Sequence, residues 1–108
     1  MELLCEYLKK HALDNPNKIA LQDEKGTLTY QELNDKSSNI AFSLSKKINK
    51  GDVVAVYVGY QKEIILGALS ILKSGGIYLP LDSNYPKERL SYMLNDSKAK
   101  ILLTTKDF

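Results

Sequence analysis

The sequence predicts an α/β fold: a partial doubly wound parallel sheet in the order strand, helix, strand, helix, strand, preceded by a helix, a small β-hairpin and a long capped helix. Three observations predict it. Val53-Val54-Ala55-Val56-Tyr57-Val58 is a continuous, β-branched-rich run without polar alternation, the pattern of a central strand covered on both faces. Ile71 to Asp82 joins a helix to a strand, with Lys73 in the last turn, Gly75-Gly76 able to take the left-handed stop conformation, and Ile77-Tyr78-Leu79 following at once. Finally, Pro86 pre-sets the first turn of another crossover helix, which delivers Ile101-Leu102-Leu103-Thr104 as a third buried strand. Short turns between these elements imply parallel pairing through right-handed crossovers.

Taken in order, Met1, Leu4, Cys5, Leu8 and Ala12 recur at helical spacing, and that first helix should fail before Asn15-Pro16. Ile19 to Gln22 and Thr27-Leu28-Thr29 form a hairpin whose tip, Asp23-Glu24-Lys25-Gly26, is expected to be charged and solvent-facing. Leu28-Thr29-Tyr30-Gln31-Glu32-Leu33 then carries two helix-start devices in register. Thr29 and Glu32 make a capping box, and Leu28 can staple onto Leu33. Leu33, Ile40, Ala41, Leu44 and Ile48 give that helix one apolar face, running to about Lys47 before Asn49-Lys50-Gly51-Asp52 closes it. After the central strand and the Gly59-Tyr60-Gln61 turn, Ile64, Ile65, Ala68, Leu69 and Leu72 are expected to be the packing face of the next helix. Gly67 within it marks close approach of another backbone, because mid-helix glycine costs about 1 kcal/mol. Ladder pairing should stop at Pro80, which lacks a donor. In the last helix Leu90, Met93 and Leu94 point inward, and Asn95-Asp96-Ser97 ends it.

Composition narrows the function. With 108 residues, 44% hydrophobic and 26% charged, the chain is at most one ordinary soluble domain. Net charge is +2 and Arg89 is the only arginine, so the side chain that reads phosphate and guanine bidentately is nearly absent and nucleic acid is not the expected partner. Seven tyrosines scatter along the chain instead of forming a stacking platform. A single cysteine excludes an internal disulfide and any multi-cysteine metal site. No run approaches the ~20 apolar residues of a membrane span, and the charged start Met1 to Lys10 is not a secretory signal, so a cytoplasmic protein without a membrane partner is expected.

No complete catalytic constellation emerges. His11 stands on an exposed helix end with no second ligand nearby, and Cys5 reads as a small apolar residue. Ser74-Gly75-Gly76 follows a helix and precedes a strand, the reverse of a phosphate cradle. Gly59-Tyr60-Gln61-Lys62 has the right order for an anion site, but one glycine and one lysine fit a plain turn as well. Asp82 lies just past a strand end, where α/β sites collect, and equally suits a turn cap before Pro86. Catalytic, cofactor-binding and metal residues are therefore all assigned as none.

Two of these stretches resemble core motifs of one family, the adenylation domains of nonribosomal peptide synthetases within the adenylate-forming superfamily. Leu28 to Leu33 is similar to the first motif and Leu72 to Asp82 to the second; Pro16 to Leu21, Gly51 to Val56 and Tyr85 to Leu90 also resemble intervening segments. Ser74 and Ile77 depart from the alanines usual there. The resemblance covers essentially the whole chain and implies that residues 1–108 are the N-terminal part of the large subdomain of such a domain.

The same resemblance implies a full-length enzyme that uses ATP and Mg²⁺ to form an aminoacyl adenylate and then loads a carrier-protein phosphopantetheine thiol. None of the family's later nucleotide and catalytic motifs falls within residues 1–108, so no cofactor is expected on this stretch alone. Its implied partners are the remainder of the adenylation domain and the carrier protein. The D-alanine:carrier-protein ligases, the acyl-CoA or fatty-acyl ligases and a non-catalytic binding or oligomerisation module are the alternatives. A half-sheet with an apolar strand at its edge should also expose hydrophobic surface, so self-association through that edge or marginal stability is expected.

Overall fold

The computed structural model describes residues 2–59 and 61–104. In chain order they form α1 (Glu2–Asp14), β1 (Ile19–Asp23), β2 (Gly26–Thr29), α2 (Tyr30–Ser45), β3 (Val53–Tyr57), α3 (Gln61–Ser74), β4 (Ile77–Leu81), α4 (Lys87–Ser97) and β5 (Ile101–Thr104). β1 and β2 pair antiparallel, and the parallel sheet has the order β4-β3-β5 with Val54 opposite Tyr78 on one side and Ile101 on the other. β3 is the central strand that its apolar run predicts. The chain steps from β3 out to β4 and then back past β3 to β5. Crossovers of the usual right hand therefore put α3 and α4 on opposite faces of the sheet.

Local chemistry sets the boundaries. Thr29 has extended backbone, its hydroxyl accepts the Glu32 N–H, and the Glu32 carboxylate accepts the Thr29 N–H at 2.9 Å. Leu28 and Leu33 are both buried in one cluster with Leu8 and Leu69, as the staple requires. At the other end of α3, Gly75 takes φ +86°, its N–H donates to Leu72 and the Gly76 N–H donates to Ile71, which together make a Schellman stop. The loop before β3 is tied to this stop, because the Gly51 N–H donates to Gly75 and the Ile77 N–H to Asp52. A methyl group on Gly76 would lie 3.1 Å from both Ile48 Cδ1 and Ile71 Cγ2, so this glycine is fixed by space.

The core is in two parts. Leu44, Ile48, Val54, Val56, Val58 and Ile71 pack between α2, α3 and the sheet. Leu8, Leu28, Leu33 and Leu69 join α1, the hairpin, α2 and α3. Ile71 is completely buried, worth roughly 2–3 kcal/mol of apolar transfer, whereas α4 buries no residue.

Several expectations need correction. The ladder runs on through Pro80, opposite Val56, to Leu81 opposite Tyr57. β4 is an edge strand among the described residues, and there a proline can turn its donorless nitrogen outward without losing a ladder bond. Val58 is buried but lies beyond β3, α2 ends two residues before Lys47, and Pro86 is the N-cap of α4 instead of part of its first turn. The packing face of α3 is right in part: Leu69 is buried, Ile64 packs against the core and Ala68 and Leu72 are partly covered, but Ile65 is exposed and Gly67, Ser70 and Ile71 are buried beside the expected set. Gly67 does mark a close approach, but of a side chain and not of another backbone, since a methyl on it would sit 3.3 Å from both Val56 methyls. Leu90, Met93 and Leu94 are partly covered, as expected of the inward side of α4. Met1, Tyr60 and the end after Thr104 lie outside the described residues.

Candidate functional site

In open α/β sheets ligands collect beyond the carboxyl ends of the strands. Here that place is a cleft of about 410 Å³ past β3 and β4, walled by Val58, Gly59, Ile64 and Tyr78 and rimmed by Asp82, Asn84 and Tyr85. Burial raises the Tyr78 pKa, keeping the phenol neutral. The Asp82 carboxylate accepts the Asn84 N–H at 2.9 Å, and the Asp82 carbonyl accepts the Tyr85 N–H at 3.1 Å. Asp82 is thus a turn cap, and Arg89 stacks 4.3 Å over the Tyr85 ring beside it. Among the described residues no lysine, arginine or histidine lines the cleft. The described residues here form a wall and supply no cation for the phosphates of a nucleotide.

The other candidates are structural as well. The N-terminus of α3, reached by the Gly59 to Lys62 turn, is occupied by the chain's own carboxylate: Asp23 accepts the Lys62 N–H at 2.9 Å and the Lys25 N–H at 2.9 Å, and lies 3.5 Å from the Lys62 ammonium. The hairpin tip is solvent-facing at Glu24 and Lys25 as expected, and the correction concerns Asp23 alone, whose side chain turns inward to cap a helix far along the chain. Burial pushes its pKa up, but those two N–H donors and the Lys62 ammonium outweigh it and hold the carboxyl below its ordinary value. Ser74, Gly75 and Gly76 make the helix stop at the end of α3, with the Ser74 hydroxyl donating to Ile71.

His11 is also corrected. It is not a free surface group: it is half-buried between Tyr7, at 4.2 Å, and Tyr30, on which it stacks at 5.0 Å, so it fastens α1 to the start of α2. Cys5 is half-exposed, and no group of three or more metal-ligating side chains converges among the described residues.

Sequence reasoning missed Lys73, treating it as a dipole partner of its own helix. Its ammonium instead reaches across to α2, donating to Asn34 O, Asn34 Oδ1, Ser37 Oγ and Ser38 Oγ at 2.7–3.2 Å. Burial lowers the Lys73 pKa, while Cys5 and Asp35 raise it in part. The polar run Asn34-Asp35-Lys36-Ser37-Ser38 on α2 was the available signal, because Ser37 falls on the apolar face and must be satisfied there.

The family model described as AMP-binding enzyme matches residues 8–108. A plipastatin synthase of Bacillus subtilis is 44% identical over 104 residues, which are 95% of this chain and 4% of that protein. Among solved structures, the AMPPNP-bound nonribosomal peptide synthetase FmoA3 superposes with a TM-score of 0.89 at 30% identity, covering 96% of this chain and 11% of that one. An artificially fused adenylation–PCP di-domain, NpsA-ThdA from Klebsiella oxytoca, gives a TM-score of 0.81 at 26% identity over 93% of this chain and 19% of that one. The chain therefore spans a small part of the relatives that it matches. No helix among the described residues is long and apolar enough to cross a membrane.

Proposed function

The chain belongs to the AMP-binding enzyme family, and on that premise we propose that residues 1–108 are the N-terminal part of the large subdomain of an adenylation domain, serving as its scaffold. The whole protein is then a cytoplasmic ligase that activates an amino acid. The substrate carboxylate attacks the α-phosphorus of ATP, pyrophosphate leaves, and the resulting adenylate gives its acyl group to a carrier-protein thiol with release of AMP. Mg²⁺ would accompany the nucleotide. The nonribosomal peptide synthetase FmoA3, 30% identical over this chain, supports the amino-acid branch over acyl-CoA ligases. The AMPPNP and PCP of the FmoA3 and NpsA-ThdA structures support a nucleotide and a carrier partner.

One observation carries the division of labour: the cleft at the carboxyl ends of β3 and β4 has no cation among its described lining residues, and the anion position at the start of α3 is taken by Asp23. These residues do not fit the phosphates of ATP, so no chemical step is assigned to them. Amino-acid-dependent ATP–pyrophosphate exchange tests the reading in two arms. The whole polypeptide carrying this chain is expected to exchange, and residues 1–108 alone are expected to stay at background. Failure of the first arm removes the ligase, and exchange in the second removes the scaffold role.

A further inference from the structure

We draw no further inference here: the strongest candidate, the apolar groove between α1 and α3 lined by Leu4, Tyr7, Ile65 and Leu72, carries nothing because nothing in the structure shows what covers it.

Discussion

The two crossover helices α3 and α4 flank the same central strand and differ in how far the chain itself completes their packing. α3 buries Gly67, Leu69, Ser70 and Ile71, is anchored to α2 by Lys73, and has its first turn capped by Asp23 from the hairpin. α4 buries nothing, its N-cap Pro86 makes no side-chain hydrogen bond, and Leu90, Met93 and Leu94 are only partly covered. One face of the sheet therefore carries a well-packed core of α2, α3 and the strands, with Ile101 and Leu103 of β5 against it. The face of the sheet that α4 covers ends in exposed Ile77 and Leu102 and is thinly packed.

Four substitutions, read by urea unfolding, sharpen or break that comparison. Ile71→Ala is expected to cost about 4 kcal/mol, because a fully buried side chain is removed from a site closed by sheet and helix. Lys73→Met should cost about 2 kcal/mol through loss of charged hydrogen bonds between α3 and α2. Asp23→Asn weakens the cap of α3 at neutral pH. The depressed folded-state pKa of Asp23 means that its stabilisation is full above the ordinary carboxylate range near pH 4 and is lost as pH falls through the folded value. The stability gap between this variant and the parent should accordingly close on acidification. A gap that persists at low pH would show that the carboxylate charge is not what holds the hairpin to α3. Leu94→Ala, on the inward side of α4, should cost under about 1 kcal/mol. A loss matching that of Ile71→Ala would erase the distinction between the helices.

Much of the fold is legible in the residues because local signals agree with one another. Thr29 with Glu32, the β-branched run from Val53 and the Gly75-Gly76 stop each name one structure and find it. What periodicity misreads in part is α3. Counting apolar residues selects Ile64 and Leu69, which do pack in the core, but also Ile65, which is exposed, while small Gly67 and Ser70 take the close contacts. Hydrophobicity marks a surface that can be covered and does not say by what; closeness of approach is written in small residues instead. Asp23 and Lys73 were illegible for another reason, since each acts on a partner more than thirty residues away. At the candidate site, Asp82 as a turn cap could be read from its neighbours, whereas the lack of a cation among the described lining residues of the cleft needed the fold.

Residue-resolved native-state hydrogen exchange tests this asymmetry most directly, since amides held by a packed core open only with global unfolding and those of a thinly packed helix open locally. The amides of Val54 to Val56 and Leu69 to Ile71 should share the highest protection, while those of Leu90 to Leu94 in α4 exchange markedly faster. Equal protection in α3 and α4 would contradict the view that one face is completed within the chain and the other is not.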